Sequence, residues 1–334
     1  MRDVISSLPE LEACVGVASL GVKMKIIDHL DAAAARWIGA SPIGFLGFAH
    51  PEGPRVTVIG GEVGFAQVSG SGALLLPRAA LDVSDGLASG QGAGVLFLIP
   101  GLGETLRANG RFKALDADQV EIAVEECFVH CAKALIRSDF WTGADQPPPD
   151  EPAAFVNASR FLALATMDAD GRVDISPKGD PAGLLIRMED GRATLAERPG
   201  NRLAFGYRNM IEQPKVAALC VIPGASSVVE LQGLARLTAD ETLRAAFVVE
   251  GKTPVLATVI DGEAAPRLRR SPALERAKLW SGLHPKPSVD PAETFVAHVK
   301  LNRARGTGAA LLRLAVNRGL VARGLETNYK TDLY

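Results

Sequence analysis

The sequence predicts a mainly β, α+β protein built from two tandem copies of one antiparallel unit. Three observations carry that reading. VLFLIPG (Val95 to Gly101) and ALCVIPG (Ala218 to Gly224) are both apolar runs closed by Ile-Pro-Gly, and each is followed at the same distance by another glycine, Gly110 or Gly233. Apolar residues within a unit recur mostly at period two, with tight turns between runs, which favours antiparallel neighbours over a parallel doubly wound sheet. Between the copies lies DQPPPDEP (Asp145 to Pro152), a proline-rich acidic stretch that continues neither a helix nor a central strand.

Bulk properties narrow the class. With 47% apolar and 22% charged residues the chain can bury a core and is not disordered. Its 36 Lys plus Arg against 38 Asp plus Glu leave a net charge of −2, no basic excess for nucleic acid. The longest apolar run, Val216 to Pro223, is far short of the ~18 residues of a membrane span. Asp3, Glu10 and Glu12 interrupt any secretory signal. Four scattered cysteines, Cys14, Cys127, Cys131 and Cys220, do not make a disulfide framework, so a reduced, cytoplasmic protein is expected.

The expected layout is an N-terminal segment (1–23), a first repeat (24–144), the linker (145–152), a second repeat (153–250) and a helical C-terminal extension (251–334). In the second repeat, Phe161 to Thr166 reads as a buried strand and Asp168-Ala169-Asp170-Gly171 as a hairpin turn. Val173 and Ile175 then alternate with Asp174 and Ser176, a strand with one polar face. Leu184 to Met188 and Ala193 to Ala196 flank a second turn. Asn201 to Glu212 has helical spacing and ends at Pro214. Val216 to Ile222 and Val228 to Leu237 read as two further strands.

RVDISPKGDPAG (Arg172 to Gly183), ERPGNRLAFGYRNMIEQPKVAALCVIPG (Glu197 to Gly224) and the Gly233 strand together resemble the pyridoxamine 5'-phosphate oxidase-related FMN-binding proteins. ECFVHCAKALIRSDFW (Glu126 to Trp141) is similar to the segment that follows the barrel in bacterial members. The resemblance implies two tandem six-stranded antiparallel split β-barrels with flanking helices, and FMN in a groove between barrels. It implies cofactor contacts from Asp174, Ser176, Lys178 and Gly179 on one strand, from Arg198, Asn201 and Arg202 at a helix start, and from Asn209 on that helix. A doubly charged phosphate is served by helix N-terminal amides plus cations. Read from the residues alone, Arg198 and Arg202 are equally ordinary solvated charges, and Tyr207 equally core.

The implied function is FMN-dependent two-electron transfer through flavin N5 on a small-molecule substrate, with few essential acid/base side chains and Lys178 as the cation favouring the reduced flavin. The alternatives are a non-enzymatic flavin- or haem-binding split-barrel module, or an interaction protein that has lost the cofactor. No nucleic acid or membrane partner is expected, and a homodimer is left open. In the first repeat Val58-Ile59-Gly60-Gly61-Glu62 stands where the second has Ser176 to Asp180, and Leu76 to Gly94 carries only Arg78. One FMN per chain is therefore expected, with the first barrel as the opposing wall.

Cys127, His130 and Cys131 at helical spacing are read as one buried helix face, short of the four ligands of a structural zinc. No Gly-x-Ser-x-Gly elbow is present. Gly90 to Gly94 precedes a strand, where a dinucleotide fingerprint follows one, and Gly251-Lys252-Thr253 lacks the first glycine of a P-loop. Pro266 to Leu283 reads as basic and helical, and Arg303 to Arg323 as an Arg-rich amphipathic stretch. The tail Asn328 to Tyr334 could fold over a ligand pocket.

Overall fold

The computed structural model describes residues 3–282 and 287–334. An N-terminal segment holds β1 (Val4–Ile5), α1 (Leu8–Val15) and α2 (Leu20–Met24). The first repeat runs α3 (Ala32–Ala40), β2 (Ile43–Phe48), β3 (Arg55–Gly60), β4 (Gln67–Ser69), β5 (Ala73–Pro77), β6 (Gly92–Leu98), β7 (Thr105–Leu115), β8 (Gln119–His130) and α4 (Lys133–Arg137). The second runs α5 (Pro152–Ala158), β9 (Phe161–Met167), β10 (Val173–Gly179), β11 (Ile186–Glu189), β12 (Arg192–Glu197), α6 (Phe205–Glu212), β13 (Lys215–Val221), β14 (Ser227–Thr238), α7 (Glu241–Ala245), β15 (Leu256–Gly262), β16 (Arg267–Arg270) and α8 (Pro272–Ala277). Three helices follow: α9 (Pro291–Leu301), α10 (Thr307–Ala315) and α11 (Arg318–Thr331).

The duplication is explicit in the sheets. One has strand order β3-β2-β6-β7-β8-β5-β4 and the other β10-β9-β13-β14-β15-β12-β11, the same path twice, all antiparallel. Each path has seven strands, one more than expected, and β1 and β16 add to the second sheet by pairing with β14. Gly110 and Gly233 sit where β7 meets β8 and β14 meets β15. A Cβ at either would lie 1.9 or 2.2 Å from a neighbouring carbonyl oxygen, so both positions admit only glycine.

The second unit outruns its expected end at 250. β15 and β16 are ladder strands and α8 packs against β3, so Arg267 to Arg270 is strand where a basic helix was expected; Leu283, the far end of that stretch, lies outside the described residues. Arg267 and Arg270 are exposed, whereas Leu268 packs against the second core and Arg269 reaches buried Asp82, a run too short for periodicity at 3.6 to separate from helix. The 303–323 stretch is helical only from Thr307, and is broken at Val316–Asn317, where the Asn317 side chain caps α11.

Each sheet has its own core on one face. The other faces meet each other. Ile43, Phe45, Leu96, Phe161, Ala163, Ala165, Ile175, Ala217 and Leu219 form one apolar layer between β2, β3, β6 and β9, β10, β13. Strands covered on both faces read as unbroken apolar runs, which is why Ile43–Phe48 and Phe161–Thr166 show no polar face. Among the described residues no helix is long and apolar enough to cross a membrane.

Candidate functional site

Strand β10 sets the site. Its period-two alternation turns Val173, Ile175 and Pro177 toward the apolar side and puts Asp174, Ser176 and Lys178 on the opposite face. Gly179 ends the strand against α4: a Cβ there would lie 2.0 Å from the Ala134 carbonyl oxygen. That contact seats Lys133 and Arg137 beside the end of β10. A cavity of about 270 Å³ opens between these elements and the loop 198–204. Its walls include Arg107, His130, Lys133 and Arg137 from the first repeat and Ser176, Lys178, Glu197, Arg198, Asn201 and Tyr207 from the second.

The cations are mostly spoken for. Arg107, buried, makes an ion pair with buried Asp174 and donates to Ser176 Oγ at 3.3 Å, while Ser176 Oγ donates to Asp174 Oδ2 at 2.8 Å. Lys178 makes an ion pair with buried Glu197 and donates to the Tyr207 hydroxyl at 3.2 Å. Glu197 also accepts from Tyr207 OH and Thr258 Oγ1, each at 2.7 Å. Burial and the neighbouring Glu197 charge push the Tyr207 phenol well above its ordinary range. Arg198 Nε meets Asp180 Oδ2 at 2.8 Å, and its Nη2 donates to the Phe247 carbonyl at 2.8 Å. Burial raises the Asp180 carboxyl to about 6, against the pull of Arg198.

Arg107 Nε and Asp180 Oδ1 have no hydrogen-bond partner, and two more unpartnered atoms lie in the loop. Arg198 Nη1 and Asn201 Nδ2 are buried donors without a partner, on residues that line the cavity. A loop presenting one guanidinium and one amide donor of this kind fits an anionic group such as the phosphate of FMN.

Six of the eight expected contact residues line this cavity: Ser176, Lys178, Gly179, Arg198, Asn201 and Arg202. Asp174 and Asn209 do not. They border a second cavity of about 350 Å³ on the other side of the Arg107–Asp174 pair, and Asn209 donates to Thr166 Oγ1 at 3.1 Å. The expected helix start is also displaced. The helix begins at Phe205, and residues 198–204 form a loop in which Arg202 and Ala204 both take left-handed backbone, φ +59°. Asn201 Oδ1 accepts the Leu203 amide at 3.0 Å, a local turn that competes with helix. Lys178 is not a free cation, because Glu197 neutralises it.

Sequence reasoning missed Arg107, Lys133, Arg137 and Glu197. The expectation of a first repeat that is only a wall is corrected: it sends three cations into the cavity. The signal was present, since Arg107 falls at the position of Glu230 in the paired segments around Gly110 and Gly233. Cys127, His130 and Cys131 do not share a helix face. Cys127 and His130 lie on β8, with Cys127 in the first core and His130 at the cavity. Burial and the charges of Arg107 and Lys25 press the His130 imidazole well below its ordinary value, and among the described residues no group of three or more His, Cys, Asp or Glu could hold a metal.

Residues 148–281 match the family model described as Pyridoxamine 5'-phosphate oxidase, a span that ends with α8 and so agrees with the sheet rather than with the expected boundary at 250. The second repeat is thus similar to the pyridoxamine 5'-phosphate oxidase family, a match that covers less than half of the chain. Among solved structures it is similar to HupZ from Group A Streptococcus (18% identity, 42% of this chain and 100% of that one, TM-score 0.30). It is also similar to General Stress Protein 26 from Bacillus anthracis (18%, 34% and 92%, 0.26) and to the heme storage protein HutZ from Vibrio cholerae (13%, 33% and 86%, 0.24). No curated protein matches the chain.

Proposed function

We propose that this chain holds one FMN in the 270 Å³ cavity and acts as an FMN-dependent oxidoreductase on a small molecule. The observation that carries the reading is the pair of unpartnered buried donors, Arg198 Nη1 and Asn201 Nδ2, in a cavity walled by both repeats. These two donors hold the phosphate, and Arg202, exposed beside them, adds charge at the mouth. Bound FMN supplies two-electron chemistry at its ring N5.

The remaining residues bind and orient. Arg107 ties Ser176 and Asp174 to the first repeat, so the strand against which the ring lies cannot shift independently of the opposing sheet. Lys178, Glu197 and Tyr207 form a closed, net-neutral group, a rigid polar wall. Asp180 at the phosphate end is engaged by Arg198 through Oδ2, which leaves its buried Oδ1 without a hydrogen-bond partner.

The test is a titration of the pure full chain with FMN. The expected result is one FMN per chain, a thermal stabilisation corresponding to about 2.7 kcal/mol at 100 times Kd, and bleaching by a reductant followed by recovery in air. Two FMN per chain, or none, overturns the reading. One observation favours a second reading, a haem-binding module: the His130 ring is held neutral at the cavity, the form in which imidazole ligates iron. A red haem spectrum that His130→Ala abolishes would select it.

A further inference from the structure

The last turn of α11 and the residues after it cross the mouth of the same cavity. The Tyr329 hydroxyl accepts from the Ala132 amide at 3.1 Å and donates to Glu104 Oε1 at 2.9 Å. Lys133 Nζ donates to Asp332 Oδ2 at 2.9 Å and also to the Asp332 main-chain carbonyl. Arg137 Nε donates to the Leu333 carbonyl at 2.6 Å. The Tyr334 ring lies under two guanidiniums, 5.6 Å from Arg137 and 5.3 Å from Arg198.

The two ends of the Lys133–Asp332 pair are unequal. The Lys133 side chain is 3% exposed and that of Asp332 is 53% exposed. A buried ammonium needs an anion, whereas a half-exposed carboxylate regains water when it leaves. The tail is also lightly attached, since α11 buries none of its residues. A segment tied down by a few polar contacts at its end opens at low cost.

We propose that Lys133 and Arg137 form a second anion subsite, taking the oxyanion of the small-molecule substrate, and that Asp332–Tyr334 is a strap whose carboxylate occupies this subsite until substrate displaces it. This rests on reading the cavity as a ligand site, and it deepens the proposed function by naming the substrate as an anion. The strap then serves twice: it keeps Lys133 paired when no substrate is present, and on release it uncovers Arg137.

Inorganic phosphate is the probe, titrated by calorimetry into the full chain, with FMN added to saturation and without. If the strap is open about one-tenth of the time, Asp332→Asn binds phosphate about tenfold more tightly than the parent. Lys133→Gln in the Asp332→Asn background removes that gain. Should Lys133→Gln fail to fold, Lys133→Arg keeps the cation and must keep the gain. In the parent chain, phosphate must speed amide exchange at residues 329–334. No tightening in Asp332→Asn, a gain that survives Lys133→Gln, or unchanged exchange overturns the proposal. A gain seen without FMN but lost once FMN is bound assigns the subsite to the cofactor and overturns it too. Flavin absorbance in the same samples keeps the two readings apart: a chain that takes no FMN yet shows the phosphate gain loses the flavin reading and keeps the strap.

Discussion

In the cleft walled by β10 and α4, the face toward the cavity carries Ser176 and Lys178, with Arg107 reaching across from β7 to pair with Asp174 behind them. In the equivalent cleft walled by β3 and α8, the ladders put different residues in those places. Gly44 pairs with Phe97 and Ile59 as Leu162 pairs with Cys220 and Lys178. Ile59 therefore takes the place of Lys178 and Gly61 that of Asp180, one residue out of step with the alignment of Val58 to Glu62 expected from sequence. Glu230 takes the place of Arg107. The second cleft is also filled by the chain itself. Asp82 accepts from Ser271 Oγ at 2.5 Å and from the Ala273 amide at 2.8 Å, with Arg269 Nη1 at 3.5 Å. Arg276, the counterpart of Arg137, donates to the carbonyls of Gly60 and Ala80. One cleft keeps Arg198 Nη1 and Asn201 Nδ2 unpartnered at a cavity; in the other the chain supplies the anion, Asp82, although Arg269 Nε and Nη2 there also lack partners. The duplicated scaffold tolerates both because the apolar layer between the sheets fixes its geometry, leaving the polar rims free to diverge.

The largest effect that tests this asymmetry is at its centre. Arg107→Met leaves Asp174 charged, buried and without its cation, at a cost of about 3–5 kcal/mol. Glu230→Met, its counterpart, removes a half-exposed carboxylate hydrogen-bonded to Gln232 at 2.7 Å and costs under about 1 kcal/mol. Urea unfolding of both variants measures the difference. Equal losses would break the contrast between the clefts.

The Arg198–Asp180 pair belongs to one cleft only, and its pH dependence sharpens the comparison. Asp180 titrates near 3.8 when unfolded and near 6 in the fold, where burial disfavours the charge. The folded chain thus holds the proton more readily between those values. The stability it contributes is full below pH 3.8 and lost as pH rises through 6. Relative to Asp180→Asn, the parent should lose stability between pH 4 and 6, by at most about 3 kcal/mol. Thermal unfolding across that range reads it. A parent that gains stability over the same window would show that Arg198 outweighs burial.

Lys178→Met comes next, at about 2 kcal/mol, less than Arg107 because Tyr207 and Thr258 still donate to Glu197. The double variant Lys178→Met/Glu197→Gln should recover most of the loss, since it removes the stranded charge as well. Ile59 shows that the scaffold accepts an apolar residue at this position when no buried carboxylate faces it. Failure of the double variant to recover would mean that Lys178 does more than neutralise Glu197.

How much of this was legible follows from where the information sits. The duplication, the antiparallel strands and a turn at Arg198 were readable, because periodicity and turn residues are local, but the turn was expected to open a helix by Asn201 and the chain stays a loop to Ala204. So was the tail over the pocket, as an open option. Arg107 was not singled out, because an arginine inside an apolar strand shows its partner only when the other sheet is in place. Glu197 was passed over for the same reason. The end of the second unit was missed because the match of Arg137-Ser138-Asp139-Phe140-Trp141 to Arg276-Ala277-Lys278-Leu279-Trp280 shares only its two ends. In both copies the tryptophan indole donates to a carbonyl, Leu102 or Phe140, at 2.7 Å. Long-range pairing, not local propensity, fixes those residues.

The smallest effect on stability separates structure from binding at a single pair of positions. Asn201 stands as far beyond Ala196 as Asp82 stands beyond Pro77, and Ala196 pairs with Ala257 in one ladder where Pro77 pairs with Gln119 in the other. Where one cleft keeps an amide with a free donor, the other has a carboxylate. Asn201→Asp preserves the oxygen that accepts the Leu203 amide, so unfolding should change by no more than about 0.5 kcal/mol. It replaces the unpartnered Nδ2 donor with a negative oxygen beside the phosphate position. FMN affinity should then fall about tenfold or more, while Asn201→Ala, which loses the donor without adding charge, should fall less. Fluorescence titration with FMN ranks the three chains. Equal affinity in all of them would place the phosphate away from the loop and remove the feature that distinguishes this cleft from its twin.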